Sequence, residues 1–267
     1  MSCMFEGFLS TPEVLHAFGE RSFVDAILRF EATLARAQAA AGLIPEAAAQ
    51  SIIGTCKVDL FDVTKIVRES SRSGSLAIPL VASLKETVGL FNPAAVAHMH
   101  RGCTSQDAID TTMALVTRDA LYLIEADVAK SVQALLALAT RYAGTPILAR
   151  TLMQPASVTS FGLKCVGWAA PLVRSLERMR AAAPKALKLQ LGGTVGTLTG
   201  MNGKSEQVMD SMAKELKLTR PRACWHTQRD EWRTCNGRGV ARSDGEHRAF
   251  ARQSGRHARH ADQSRCE

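Results

Sequence analysis

The 267-residue sequence lacks any run of the roughly 18 uncharged apolar residues that a membrane-spanning helix needs, so we expect no membrane partner. Its first ten residues lack the basic and apolar regions of a secretory signal, which favours a cytoplasmic location. Hydrophobic residues make up 46% of the chain and charged residues 22%, which is the usual mixture of a globular protein. Disorder or a low-complexity fibre is therefore excluded for the chain as a whole.

Paired metal-ligand and disulfide patterns are also missing. The seven cysteines are an odd number, are widely scattered, and include no C-x-x-C pair and no histidine at zinc-ligand spacing. We therefore predict neither a disulfide framework nor a metal site. Cys103, close to His100, could be a nucleophile, but a buried inert thiol is the commoner case and is the one we predict.

The charge is unevenly distributed. Lysine and arginine number 33 against 25 acidic residues, and half of the net +8 lies in residues 233–267, which hold eight arginines and four acidic residues. This tail contains no Leu, Ile or Met and cannot cover a core. It could be an arginine-rich arm for nucleic acid or an acidic partner, a disordered tail, or, as we favour, the product of a reading frame lost near residue 232. The body has only a modest positive surplus, so nucleic acid is not an expected partner.

Helical patterns fill the sequence before the tail. Apolar residues recur at helical spacing from Ser22, which with Asp25 resembles a cap, to Gly42, and short helices follow over Glu46–Ile53 and from Asp62. Residues 105–142 contain neither Gly nor Pro, and their apolar residues, Met113 among them, predict one helix of roughly 55 Å.

Two further helices are predicted near the end of this region. One covers 157–191, with Pro171 and Pro184 as kinks or boundaries, and the other covers 204–218. Strand signals are weak, so the predicted fold class is all-α. The predicted domains are an N-terminal helical domain (1–103), a partial central helical bundle (104–232) and an Arg-rich disordered tail (233–267).

The run from His98 to Asp107, just before the long helix, is the first candidate site. It combines an imidazole at His100, a glycine at 102, and the hydroxyls of Thr104 and Ser105 at a helix N-terminus with unpaired N–H groups. This combination suits a carboxylate, with His100 near enough to exchange a proton. The alternative is a plain N-cap at Thr104 or Ser105 with His100 as a loop residue.

Two other runs carry polar groups. Residues 150–155 and 159–162 form a polar stretch between helical patterns, for which a connection within a bundle is the simpler interpretation. Residues 191–197 (L-G-G-T-V-G-T) form a Gly-rich loop without the lysine or the strand of a nucleotide site, so we do not expect nucleotide binding.

Together, these three runs resemble the fumarase/aspartase superfamily, and within it the carboxymuconate cycloisomerases. The order is H-x-G-x-T-S-Q-D opening a long helix, then R-T-x-x-Q-x-A, then L-G-G-x-x-G-T, with support from residues 30–37, 77–81 and 225–230. The resemblance covers about residues 5–231.

The resemblance implies an all-α fold with a small helical N-terminal domain and part of a long central bundle, assembled as a homotetramer with active sites shared between subunits. It implies that a tricarboxylate substrate closes to a γ-lactone without a metal or organic cofactor. The residues carried over are His100 and Ser105 as catalytic groups, and Thr104, Ser105, Thr151, Gln154 and Arg229 as substrate-binding groups.

Two departures from the superfamily pattern bear on activity. Leu152 stands where lyases such as adenylosuccinate lyase have a histidine, which favours the cycloisomerase over that lyase. The signature loop G-S-S-x-M-P-x-K-x-N-P, which carries a reactive serine, does not occur in the sequence. We therefore expect the chain to be truncated and inactive on its own. A non-catalytic helical scaffold with a basic, nucleic-acid-binding tail is the alternative from another class.

Overall fold

Helices account for most of the structure, a computed structural model that describes residues 9–221. The α-helices and strands are α1 (Pro12–Ala17), α2 (Glu20–Ala40), α3 (Glu46–Thr55), α4 (Val63–Ser73), α5 (Ala77–Phe91), α6 (Ser105–Arg141), β1 (Pro146–Thr151), β2 (Gln154–Ser160), α7 (Phe161–Ala186) and α8 (Ser205–Leu216). Short 3₁₀ helices cover Val58–Leu60, Pro93–His98 and Thr199–Met201. Among the described residues, no helix is both long enough and apolar enough to cross a membrane.

The described residues fall into two compact units. One comprises residues 9–121 and 184–221, and the other comprises residues 122–183. The sequence-based boundary at residue 103 stays a prediction.

The core of the first unit is built on α2. The largest fully buried side chains of the N-terminal helices pack together with residues from α6, α8 and the segment before α8: Phe30, Ile27, Leu28, Leu34, Ile52, Leu80, Leu84, Leu115, Leu189, Met201 and Met212. This core fixes the start of α6 against α2, where the candidate site lies.

The N-terminus of α2 differs from the prediction. The helix begins after Gly19 rather than at Ser22, and the Ser22 hydroxyl donates to the His16 carbonyl at 2.7 Å. Ser22 is therefore an internal residue of the helix and not its cap. The other end agrees with the pattern, because Gly42 has a φ of +68°, which suits glycine after a helix.

The long helix predicted over residues 105–142 is confirmed as α6, which has 37 residues. The absence of Gly and Pro allows this length. Burial follows the predicted face only in part, because Val116 is buried while Met113 is 46% exposed. The helix α8 and the Asp62 cap of α4, whose side chain accepts from the Lys65 N–H, also match the prediction.

The region after α6 corrects the prediction. Residues 146–160 form an antiparallel hairpin in which Thr151 pairs with Gln154, where we expected a bundle connection and the start of a helix. Its two-residue turn is Leu152-Met153, with φ values of +48° and +61°. Hairpin turns of this kind usually show Asn-Gly, so the turn gave no recognisable signal.

The helix α7 has other bounds than the predicted 157–191, because it begins at Phe161 and ends at Ala186, and it contains both Pro171 and Pro184. Neither proline is a boundary. Two backbone hydrogen bonds join the hairpin and α7 to the end of α6: Phe161 N–H donates to the Thr145 carbonyl at 2.9 Å, and Gly162 N–H donates to the Tyr142 carbonyl at 3.0 Å.

Candidate functional site

The start of α6 forms an N-terminal cap that leaves hydroxyl groups available. Thr104 precedes the first helical residue, its carbonyl accepts from Ala108 N–H at 3.3 Å, and its own N–H donates to Asp107 Oδ2 at 3.0 Å. Within residues 9–221, neither the Thr104 hydroxyl nor the Ser105 hydroxyl is hydrogen-bonded to another protein group. Both residues are partly buried. The helix N-terminus therefore offers two hydroxyls and unpaired N–H groups to an anion.

Asp107 connects this helix start to the Gly-rich loop. Its carboxylate accepts from Gly192 N–H at 3.1 Å, from Gly193 N–H at 2.9 Å and from the Gln190 side chain at 3.5 Å, besides Thr104 N–H. Asp107 is 1% exposed. Burial raises the pKa of its carboxyl, and the backbone hydrogen bonds from Gly193, Thr104 and Gly192 oppose that rise. The N–H groups of Gly192 and Gly193 thus donate to Asp107, and this contact is a structural reason for the Gly-rich run.

Close backbone packing explains the glycines around the site. A Cβ on Gly102, which has a φ of +70°, would lie 3.1 Å from Met201 Cε. A Cβ on Gly193 would lie 3.1 Å from the Gly102 carbonyl oxygen. The segment before α6 and the Gly-rich loop therefore approach each other more closely than larger residues would allow.

His100 is held by a carboxylate that sequence analysis missed. Its Nδ1 lies 2.6 Å from Glu31 Oε1, and the two side chains are 17% and 2% exposed. Burial lowers the pKa of His100, but the hydrogen bond and the negative charge of Glu31 outweigh it, and the net pKa is raised from 6.5. The one signal for Glu31 was its place in α2 on the apolar face between Ile27 and Leu34.

Cys103 belongs to the same cluster. Its Sγ lies 3.2 Å from His100 Nδ1. Burial, with the charges of Glu31 and Asp107, raises the pKa of the thiol well above 9.0, so the free thiol stays protonated and is a poor nucleophile. Cys103 and His100 are three residues apart in sequence, whereas Glu31 and His100 are 69 residues apart and meet only through the fold.

The Glu31–His100 pair predicts a pH-dependent stability. A histidine whose pKa is raised by folding gives its full stabilisation at pH values below its pKa in the unfolded chain. This stabilisation is lost as the pH rises through its pKa in the folded chain. We expect the difference in Tm between the wild type and Glu31→Gln to be largest below about pH 6.5 and to shrink as the pH rises through the raised pKa of His100.

Thermal melts across this pH range, with a chelator present, measure the effect. Glu20→Gln is the matched control, because Glu20 is an exposed residue of the same helix, and its effect should not change over this range. A Glu31→Gln penalty that grows with pH would contradict the assignment.

The remaining predicted residues lie elsewhere in the described chain or outside it. Thr151 ends β1 and pairs across the hairpin with Gln154, the first residue of β2, and both are exposed. They belong to the unit of residues 122–183, while His100, Thr104 and Ser105 belong to the other unit. Arg229 lies outside the described residues.

A known family matches the part of the chain that contains this site. Residues 8–234 match the family described as lyase. The chain belongs to this lyase family. The match includes the candidate site and confirms the resemblance to the fumarase/aspartase superfamily and the all-α fold class.

Two curated relatives of this lyase-family chain are 3-carboxy-cis,cis-muconate cycloisomerases. The one from Pseudomonas putida is 38% identical over 227 residues, which are 85% of this chain and 54% of the relative. The one from Bradyrhizobium diazoefficiens is 40% identical over 230 residues, which are 86% of this chain and 51% of the relative. The chain therefore spans about half the length of the curated relatives it matches.

Two solved structures of cycloisomerases are also similar to this chain. The crystal structure of 3-carboxy-cis,cis-muconate lactonizing enzyme from Pseudomonas putida matches with a TM-score of 0.79 at 38% identity, over 85% of this chain and 52% of that one. The cycloisomerase from Acinetobacter calcoaceticus matches with a TM-score of 0.77 at 33% identity, over 82% and 52%.

Proposed function

We propose that this lyase-family chain has the substrate and reaction of a 3-carboxy-cis,cis-muconate cycloisomerase, which closes the substrate to a γ-lactone. We also propose that the chain alone binds this substrate without turning it over, because the signature serine loop does not occur in its sequence. The observation that carries the proposal is the start of α6, where the hydroxyls of Thr104 and Ser105 and the helix N-terminus offer donors to a carboxylate. The similarity to cycloisomerases supports the choice of substrate. No metal or organic cofactor takes part in the proposed reaction.

In the proposed reaction, a carboxylate oxygen of the substrate forms a bond to a carbon of the double bond. The π electrons move toward the carbon next to another carboxylate, and a proton is then delivered to that carbon. Negative charge grows on the second carboxylate during this step. Donors already oriented at Thr104, Ser105 and the helix N-terminus would stabilise that charge.

We assign the proton transfer to His100. Because Glu31 holds Nδ1, Nε2 is the ring nitrogen available to the substrate, and the raised pKa of His100 keeps a proton on the imidazole nearer to neutral pH. Thr151, Gln154 and Arg229 would bind the other polar groups of the tricarboxylate.

We also propose that the chain works as a homo-oligomer, a tetramer by analogy with the superfamily. Residues 122–183 expose many large apolar side chains: Tyr122, Leu148, Leu152, Met153, Val158, Leu163 and Trp168, each between 48% and 92% exposed. Apolar surface of this extent marks an interface in soluble proteins.

The experiment that tests the function is a calorimetric titration of the chain with 3-carboxy-cis,cis-muconate and, separately, with adenylosuccinate. Absorbance of the diene is followed in parallel to detect turnover. We expect saturable binding of the tricarboxylate without loss of diene absorbance, and no binding of adenylosuccinate at the same concentrations. Leu152, in place of a histidine, motivates this difference.

The opposite preference would support a lyase that eliminates fumarate. If neither compound binds, the proposed function is wrong.

A further inference from the structure

We propose that Glu31, His100 and Cys103 form a binding site for a thiophilic divalent cation of the Zn²⁺ class. One ligand atom from each residue lies within 4.8 Å of the other two. In the part of the chain that the structure describes, this is the one group of three such side chains. A carboxylate oxygen, an imidazole nitrogen and a sulfur are a combination that zinc accepts and that harder cations such as Mg²⁺ do not favour.

The fold itself brings these three side chains together. His100 has a φ of +54°, and this left-handed residue turns the chain so that Cys103 Sγ lies 3.5 Å from the His100 carbonyl oxygen and 3.2 Å from its Nδ1. Glu31 reaches the same nitrogen from the buried face of α2. The ligands thus come from one tight turn and one rigid helix, which limits the reorganisation that binding requires.

Two of the three distances between ligand atoms lie within about 1 Å of those of a tetrahedral site. Zinc bonds of the usual lengths separate a nitrogen and an oxygen ligand by about 3.3 Å and a nitrogen and a sulfur ligand by about 3.6 Å. The corresponding distances here are 2.6 Å and 3.2 Å. The cation would therefore lengthen these two distances by about 0.7 Å and about 0.4 Å, and it would replace the direct contact between His100 and Glu31.

Charge also favours a cation at this position. Binding removes the proton of the Cys103 thiol to solvent, and the sulfur, the Glu31 carboxylate and a neutral His100 then give two negative charges. A divalent cation neutralises both inside a mostly buried site, where an isolated thiolate would be strongly disfavoured. His100 is 17% exposed, and a water molecule would be the fourth ligand. A cation bound here would displace Glu31 from Nδ1 and hold His100 neutral, so the metal-bound form would not carry out the proton transfer proposed for His100. The inference is therefore tested by metal binding and not by activity.

The test is a titration of the chelator-treated chain with Co²⁺, a spectroscopic substitute for Zn²⁺. We expect a thiolate-to-cobalt charge-transfer band that Zn²⁺ abolishes, and we expect Cys103→Ser to remove one equivalent of that band. Cys165→Ala is the matched control, because Cys165 is a buried free cysteine outside the cluster, and it should leave the titration unchanged.

Glu31→Gln supplies a second variant of nearly the same size and should weaken Co²⁺ binding at the Cys103 site by at least about tenfold. Circular dichroism establishes that each variant is folded. The proposal is overturned if the wild type shows no charge-transfer band, or if folded Cys103→Ser retains the full band. It is also overturned if Glu31→Gln binds Co²⁺ as tightly as the wild type does.

Discussion

Replacing Asp107 with alanine is expected to lower the free energy of unfolding by about 3 kcal/mol, because each buried N–H left without an acceptor costs about 1–3 kcal/mol. The Asp107 carboxylate accepts from the backbone N–H groups of Thr104, Gly192 and Gly193. Its desolvation, which raises its pKa, offsets part of that stabilisation. The loss of unfolding free energy should therefore be smaller than the summed cost of three N–H groups left without an acceptor.

Chemical denaturation at fixed protein concentration measures this loss. Asp127→Ala is the matched control, because Asp127 lies on the same helix with a side chain that is 64% exposed and only a weak ion pair to Lys130. Its effect should stay below about 0.5 kcal/mol. Equal effects of the two substitutions would mean that Asp107 does not anchor the Gly-rich loop.

The substitution Gly162→Ala is expected to destabilise the chain by about 3 kcal/mol, at the upper end of the usual cost of overpacking. A Cβ at Gly162 would lie 2.6 Å from the Ala139 carbonyl oxygen and 2.7 Å from Ala143 Cα. Both neighbours are backbone atoms at the end of α6, so neither can move aside as a flexible side chain would. The hydrogen bond from Gly162 N–H in α7 to the Tyr142 carbonyl would also be strained.

Gly167→Ala on the same helix should have the opposite sign. No atom lies within 4 Å of the position of its Cβ, and the residue is exposed. Alanine in an open helix interior is favoured over glycine by about 0.5–1 kcal/mol. The two variants are compared by Tm under one set of conditions. A neutral Gly162→Ala would contradict the close approach of α6 and α7 at this point.

The sequence predicted those parts of the fold that depend on local signals. The length of α6 followed from the absence of Gly and Pro, and the end of α2 followed from Gly42, which has a positive φ value. The hairpin was missed because Leu152 and Met153 occupy turn positions that normally carry Asn or Gly. The hairpin also has little buried apolar surface to impose an alternating pattern, since Leu148 and Val158, which pair across it, are both exposed.

In the candidate site, too, local features could be predicted from the sequence and contacts between distant residues could not. The run T-S-Q-D identified the helix start, and the acidic residue three positions after Thr104 could have been recognised as the partner of its backbone N–H. The contacts of Asp107 with Gly192 and Gly193, and of Glu31 with His100, join residues far apart in sequence. No spacing rule predicts such contacts, because they depend on how α2, α6 and the Gly-rich loop pack.

The central claim is that the N-terminus of α6 binds a carboxylate of the substrate. The most direct measurement is the dissociation constant of 3-carboxy-cis,cis-muconate for the wild type, Ser105→Ala and Ser131→Ala. Ser131 is the control because it lies on the same helix, is exposed, and donates only to the Asp127 carbonyl.

We expect Ser105→Ala to raise the dissociation constant roughly tenfold, about 1.4 kcal/mol for a lost charge-assisted hydrogen bond, and Ser131→Ala to leave it unchanged. An unchanged constant in Ser105→Ala would contradict the claim.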